Sequence, residues 1–138
     1  MSRELENSVK RAKNMLEYYN EKLIKDETKL KSAKSSKIFS LIETIILFII
    51  NSMFFILVTY ALATGNILPS LISISIYAGT LDRLVKTSNE YKKLNEDYLN
   101  IRNTVIQDSS YIKTYEEELN KAISKLNELE NENVLESN

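Results

Sequence analysis

The chain has 138 residues, 43% of them hydrophobic, and its 18 basic and 19 acidic side chains give a formal net charge of −1. This length is typical of one domain, and without a net basic surface the chain is not expected to bind nucleic acid. The absence of cysteine and histidine excludes disulfides, Cys/His metal sites and imidazole catalysis. With only two glycines and one proline, the composition predicts an all-α protein. No motif predicts a catalytic residue, a cofactor or a metal ion.

Residues 1–44 are predicted to form a basic, amphipathic cytoplasmic helix that leads into a membrane. Apolar side chains recur every seven residues, with a second set between them, and this pattern is typical of coiled coils. The positions are Val9, Ala12, Leu16, Tyr19, Leu23, Leu30 and Ala33. Six lysines between Lys22 and Lys37 precede the apolar segment, and they indicate that this end of the chain faces the cytoplasm.

The segment from Thr44 to Leu81 contains no charged residue over 38 positions. One bilayer crossing needs about 20 residues, so this run is long enough for two. A soluble protein of this size has too little other structure to bury a helix that is apolar on all sides. The run also begins too far from Met1 for an ordinary secretory signal peptide. The sequence therefore predicts that residues 45–85 lie in a membrane.

A turn is predicted in the middle of this run, at 65–66. Gly65 tolerates the positive φ that often ends a helix, and Pro69 suits the first turn of the next helix. The expected crossings are Ile45–Thr64 and Ile67–Val85. One long kinked helix is the alternative, but basic residues flank the run on both sides and none lies in the turn. The positive-inside rule then places both termini in the cytoplasm and the turn outside.

Residues 86–138 are predicted to form a second cytoplasmic helix with a frayed C-terminus. The seven-residue repeat begins at the end of the second crossing and continues through this helix. Its positions are Leu84, Tyr91, Leu94, Tyr98, Ile101, Val105, Ile112, Tyr115, Leu119, Ala122, Leu126 and Leu129. A break at "QDSS", Gln107–Ser110, is a competing prediction, because Ser and Asp are good N-caps that favour the start of a separate helix.

The two repeats face each other if the chain folds back on itself at the turn. Positions equally far from the turn then lie opposite, which places Asn51 against Thr80 and brings Asp26 next to Asp108. The sequence thus predicts two long antiparallel helices that form a transmembrane hairpin extended by a cytoplasmic coiled coil. Pairing between separate chains is the alternative that the repeat leaves open.

The positions of the membrane region that continue this repeat form the predicted seam, the line along which the two helices meet. They are mostly small or polar, as membrane packing favours, because lipid provides no hydrophobic drive. The candidate seam or pore-lining residues are Asn51, Ser70, Ser73, Tyr77 and Thr80. They either pack two helices of one chain together or line a water path in an oligomer. Glu43 is an ionisable group next to the membrane, and we expect it to form an interfacial ion pair with Arg83 or Lys86.

The order of segments follows a known pattern. A basic helix leads into "IFSLIETIILFII", a short turn precedes "ILPSLISISIYAG", and the helix "LVKTSNEYKKLNEDYLNIRNTV" comes next. Within it, Tyr91–Leu94 and, more loosely, Tyr98–Ile101 are similar to a "Y..L" pattern. Over roughly residues 10–115 this layout resembles the SLATT family, two-transmembrane domains of bacterial conflict systems. The resemblance implies an antiviral defence effector that assembles in the inner membrane and permeabilises it, triggered by a nucleotide-synthesising or sensing partner.

We therefore expect a small protein of the inner membrane, not an enzyme, that forms a permeabilising homo-oligomeric pore under the control of a cytoplasmic protein partner. The alternative is a non-enzymatic, membrane-anchored coiled-coil scaffold or tether. A weaker similarity connects "ALATGNILPSLISISIYAG" to the last transmembrane helix pair of ABC exporters, which implies a fragment of such a transmembrane domain. The Gly-rich phosphate loop of exporters has no counterpart in this sequence.

Overall fold

The computed structural model describes residues 2–65 and 67–136, and two long helices account for nearly all of them. Helix α1 is Ser2–Ala63 and helix α2 is Ile67–Glu136. Thr64 and Gly65 form a turn, and no strand occurs in these two ranges. The predicted all-α fold class is therefore confirmed. Asn66, at the predicted centre of the turn, and the last two residues of the predicted frayed C-terminus lie outside the described residues.

Helix α1 ends where the sequence predicts a turn. Gly65 has a φ of 70°, a left-handed conformation that glycine adopts readily because it has no Cβ. Its N–H donates to the carbonyl oxygen of Leu62 at 3.2 Å, and the N–H of Thr64 donates to that of Tyr60 at 3.0 Å. These bonds satisfy two of the last carbonyl groups of α1. Pro69 lies in the first turn of α2, where its missing N–H leaves no helical bond unmade.

Helix α2 continues without a break through Gln107–Ser110, so the competing prediction of a separate helix there is wrong. No glycine or proline interrupts this segment, and the seven-residue repeat passes through it in phase. Asp108 does not cap a helix end. It is 1% exposed and its carboxylate is bonded to Lys22 of α1, so it belongs to the packed side of the helix.

The chain divides into two compact units, each built from a part of α1 and a part of α2. The polar unit contains Met1–Leu30 and Ile101–Asn138, and the apolar unit contains Lys31–Asn100. The apolar unit is wider than the predicted membrane region, 45–85, because it includes charged segments on both sides of the uncharged run.

In the polar unit, α1 and α2 pack through small and aromatic side chains. Ala12 and Ala122 are buried, and the rings of Tyr19 and Tyr115 stack with their centroids 5.7 Å apart. Tyr111 lies against the same Tyr19 ring at 5.0 Å. All the apolar repeat positions of this unit are buried or half-buried. The seven-residue period therefore identifies the side of each helix that packs.

In the apolar unit, the buried side chains are mainly small or polar. Its buried apolar residues are Leu47 and Ala61, and its buried polar residues are Ser40, Asn51, Ser70 and Thr87. The predicted seam positions between residues 45 and 85 are all buried or half-buried, and nearly all the positions between them are exposed. The hydrophobic pattern of a soluble protein is thus inverted over this stretch.

In the apolar unit, later residues of α1 contact earlier residues of α2. The contacts are a cation–π pair of Lys37 with Tyr98, a hydrogen bond of Asn51 with Thr80, and a ring contact of Phe55 with Tyr77.

One helix of the described residues, α1, is long and apolar enough to cross a membrane. Only 11% of its most apolar 18-residue stretch is buried, whereas the all-round apolar helix of a soluble protein is buried in its core. Helix α2 does not reach the same hydropathy, because its uncharged part, residues 67–81, contains three serines and is followed by Asp82 and Arg83. The structure thus contains one candidate span in its described residues where the sequence predicts two.

Cysteines introduced together as Leu16→Cys and Tyr115→Cys should form a crosslink within one chain. Both positions belong to the packed side of the polar unit, and Tyr115 stacks on Tyr19, one helical turn from Leu16. The chain contains no cysteine of its own, so the mobility of the oxidised monomer on a non-reducing gel reports this bond directly.

The matched control combines Glu17→Cys with Tyr115→Cys, because Glu17 is exposed and lies on a different side of α1. This pair should crosslink far less. A Leu16–Tyr115 crosslink that appears only in dimers would show that the helices pair between chains.

Candidate functional site

The centre of the candidate site is the side-chain amide of Asn51, which is 5% exposed. Its Nδ2 donates to the carbonyl oxygen of Leu47 at 2.9 Å and to that of Thr80 at 3.1 Å. Its Oδ1 accepts a hydrogen bond from the Thr80 hydroxyl at 3.1 Å. Both N–H groups and the oxygen of the amide are therefore bonded, and two of the three bonds join α1 to α2.

The Thr80 hydroxyl lies near three acceptors. Besides Asn51 Oδ1, the carbonyl oxygens of Ile76 and Tyr77 are 3.1 Å and 3.0 Å away. A hydroxyl carries a single proton, so its bond to α1 competes with bonds inside α2. The Thr80 hydroxyl would thus still have an acceptor if the bond to Asn51 were lost.

The other candidate pore-lining residues lie on the same side of α2. Ser70 is 5% exposed, and Ser73 and Tyr77 are half-buried. The Tyr77 ring contacts that of Phe55, with 6.1 Å between the centroids. All five candidate residues of the seam are therefore on the side of each helix that faces the other helix. In a single chain, this placement suits packing better than a water-filled path.

Glu43 contacts one of its two expected partners. Arg83 Nη2 donates to Glu43 Oε1 at 3.1 Å. Lys86 instead donates to Asp82 Oδ2 at 2.7 Å, because the four-residue spacing puts these two side chains on neighbouring turns of α2. Lys86 is thus not part of the Glu43 ion pair. The Arg83–Glu43 bond joins α1 to α2 at the cytoplasmic end of the predicted crossings.

Two buried aspartates of the polar unit are held by lysines that the apolar repeat does not identify. Lys22 Nζ lies 2.6 Å from Asp108 Oδ1, and Lys29 Nζ lies 2.7 Å from Asp26 Oδ1. Asp108 is 1% exposed and Asp26 is 6% exposed, so removing Lys22 leaves the Asp108 charge without its ion-pair partner, and removing Lys29 leaves Asp26 with only the more distant charge of Lys22. The three-residue spacing of Asp26 and Lys29 is visible in the sequence. Lys22 meets Asp108 only when α1 and α2 are brought together.

These contacts shift the ionisation of the groups involved. The hydrogen bond from Lys29 holds the pKa of Asp26 below its ordinary value, although burial opposes that shift. The hydrogen bond to Asp108 raises the pKa of Lys22. Burial, and then the neighbouring Tyr115 and Tyr111, raise the pKa of Tyr19. Asp26 and Lys22 are therefore charged at neutral pH, as structural ion pairs require.

The chemistry of the site suits helix association. Among the described residues, no group of three or more acidic side chains is positioned to hold a metal ion. No family model, curated protein or solved structure matches the chain. The resemblance to the SLATT family therefore stays a prediction from the residue pattern.

Asn51→Leu should weaken the contact between α1 and α2 in the apolar unit by about 1–2 kcal/mol. The substitution removes two hydrogen bonds between the helices, and such bonds within membranes contribute about 0.6 kcal/mol on average and up to about 1.7 kcal/mol. The measurement is the free energy of unfolding of the purified full chain in mixed detergent micelles.

Ser52→Ala is the matched control. The Ser52 hydroxyl is exposed and bonds to the carbonyl oxygen of Phe48 in its own helix, so its removal should change stability by less than about 0.5 kcal/mol. Equal losses for the two variants would mean that the Asn51 bonds do not hold the helices together.

Proposed function

We propose that the chain is a non-enzymatic, membrane-anchored scaffold, in which α1 and α2 cross the bilayer as a hairpin and continue as a cytoplasmic coiled coil. One observation carries this proposal. Asn51 and Ser70 of the apolar unit are enclosed between two helices of the same chain, while the large apolar side chains around them face outwards. Such a surface is stable in lipid and unfavourable in water.

The exposed apolar side chains are concentrated in the apolar unit. Those that are more than half exposed there include Phe39, Phe48, Met53, Phe55, Ile56, Tyr60, Leu62, Leu68, Leu71 and Ile72. In the polar unit, the exposed large apolar residues are Tyr18, Ile24, Ile106, Tyr111 and Ile123. A contiguous apolar surface of this kind marks a membrane or protein contact. Its extent on both α1 and α2 favours insertion of both helices.

The lengths of the two helical segments fit the thickness of a bilayer. Ile45–Thr64 and Ile67–Val85 would each extend about 30 Å at 1.5 Å per residue, the thickness of the hydrocarbon core. The Glu43–Arg83 ion pair would then lie at the cytoplasmic interface, where charged side chains reach headgroups and water. The turn at Thr64 and Gly65, which carries no charge, would lie at the outer interface.

The polar unit supplies the cytoplasmic part of the proposed scaffold. Its helices are joined by the Tyr19–Tyr115 stack and by the ion pair of Lys22 with the buried Asp108 carboxylate. Mixed apolar and ionic layers specify which helix faces pair, because an alternative pairing would leave a buried charge unmatched. The exposed sides of this unit are charged, and we propose that they bind a cytoplasmic protein partner.

Single cysteines report the membrane topology of this cysteine-free chain. Thr64→Cys should react with a membrane-impermeant maleimide in intact cells, whereas Ser35→Cys and Asn103→Cys should react only after the cells are permeabilised. Labelling of Ser35→Cys and Asn103→Cys on opposite sides of the membrane would indicate one crossing and exclude the hairpin.

For the scaffold, expression of the wild-type chain should also leave the membrane potential unchanged.

A membrane-permeabilising oligomer is the second candidate function, and a small-residue face of α2 favours it. Ser75 and Gly79 are exposed and four residues apart, so they lie on one face of the helix. A Cβ added at Gly79 would meet no atom within 4 Å. Small residues at such a spacing allow transmembrane helices to approach closely, which would let a second copy of this chain pack there.

If the chain permeabilises membranes as this oligomer, Gly79→Ile should abolish the depolarisation that the wild-type chain causes on expression. The position is exposed and a Cβ there meets no atom of the monomer, whereas the larger isoleucine side chain would keep a second helix away. Gly79→Ala is the control and should retain most of the effect, because alanine is also small. A wild-type chain that causes no depolarisation would favour the scaffold, and equal depolarisation by Gly79→Ile would exclude packing at this face.

A further inference from the structure

An amphipathic groove lies on one side of the contact between α1 and α2 in the apolar unit. It encloses about 520 Å³. Its floor is apolar and is formed by Ile45, Phe48, Leu84 and Val85. Its rim is polar and is formed by Ser88, Asn89 and Lys92, with Thr44 across from them on α1. The groove thus changes from apolar to polar along the axis of α2.

Lys92 is the only cationic side chain that lines this groove. It forms no ion pair in the described part of the chain, although Glu96 follows it by four residues. A lysine placed before a glutamate is the less favourable order for a helical ion pair. Side chains of a helix lean towards its N-terminus, so the Lys92 side chain leans back over Ser88 towards the apolar floor.

The depth of the rim matches the headgroup region if the proposed membrane insertion holds. Val85 ends the predicted second crossing, and Lys92 lies seven residues further on, which is about 10 Å along the helix. The polar region of each leaflet begins at the edge of the hydrocarbon core and extends for several ångströms beyond it. A flexible lysine at this distance reaches a phosphate in that region.

A second groove on the other side of the same contact provides an internal comparison. It is of similar size, about 420 Å³, and its lining includes Phe39, Leu94 and three serines. It carries the carboxylates of Glu43 and Glu90 and no lysine or arginine. Glu43 is paired with Arg83, so the Glu90 carboxylate is the charge that would repel an anionic group there, whereas Lys92 would attract one.

We infer that the Lys92 groove binds one anionic phospholipid of the cytoplasmic leaflet. The phosphate would accept hydrogen bonds from Lys92, Ser88 and Asn89, and an acyl chain would lie on Phe48 and Val85. Basic pockets between transmembrane helices on the cytoplasmic side are suited to anionic headgroups. This inference rests on the proposed membrane insertion. The positive charge of Lys92 distinguishes this groove from the acidic one.

The absence of tryptophan allows one reporter at a time to be introduced. The full chain carrying Phe48→Trp is reconstituted in phosphatidylcholine vesicles that contain either brominated phosphatidylglycerol or brominated phosphatidylcholine at equal mole fraction. Bromine quenches a neighbouring indole, so the fluorescence measures which lipid occupies the groove. The relative occupancy by the anionic lipid should be about fivefold higher, as expected for about 1 kcal/mol from one lysine at an anionic headgroup.

Two controls identify the source of this preference. Lys92→Gln in the Phe48→Trp background should remove it, whereas Lys93→Gln should retain it, because Lys93 does not line the groove. Phe39→Trp reports the acidic groove and should show no preference for the anionic lipid. Circular dichroism checks that each variant keeps its helix content.

Each outcome has a distinct meaning. Equal quenching by the two lipids at Phe48→Trp would overturn the lipid site but leave membrane insertion intact. The same preference in Lys92→Gln and Lys93→Gln would also overturn it, since the effect would then come from general surface charge. Quenching by neither lipid would show that Phe48 does not contact lipid, and the proposed membrane insertion would fail with it.

Discussion

The hydrogen bonds of Asn51 determine which sides of α1 and α2 meet in the apolar unit. An amide removed from water must have its donors and acceptor bonded, and here Leu47 and Thr80 satisfy them. Because one bond ends on the backbone of α2 and another on the Thr80 side chain, a shift of either helix by one residue would leave the amide unsatisfied. The Asn51 bonds therefore favour one packed face and one register over slipped alternatives.

The same seven-residue period is filled with different chemistry in the two units. In the polar unit, its packed positions hold aromatic rings and the ion-paired carboxylates Asp26 and Asp108. In the apolar unit, the buried ones hold alanine, serine, threonine, one neutral amide and a single large apolar side chain, Leu47. Water favours burial of the aromatic rings of the polar unit. Its high dielectric constant also lowers the cost of placing charged side chains among them. If the apolar unit lies in lipid as proposed, no hydrophobic drive acts on it, and close packing and neutral hydrogen bonds hold its helices together.

These differences also explain what the sequence can predict. The helices, the turn at Gly65 and the packed sides follow from periodicity and backbone preference, which are local properties. The Asn51–Thr80 pairing follows from counting away from the turn. The same count brings Lys22 close to Asp108, but Lys22 lies beside the apolar repeat and not on it, so the repeat does not single it out as the partner. Likewise, Lys86 bonds to Asp82 rather than Glu43, since a partner on the same helix is reached without ordering a longer contact.

The enclosed polar residues restrict how this chain could conduct ions or water. A path along the seam would require Asn51 to give up both bonds to Thr80, and a controlling partner would have to favour the open state by at least that free energy. Thr80 lowers the cost, because its hydroxyl can donate to the carbonyl oxygen of Ile76 or Tyr77 instead. An oligomer that meets through Gly79 requires no such opening. Its seams would stay closed, and any water path would have to run between subunits, lined by residues that face outwards in the single chain.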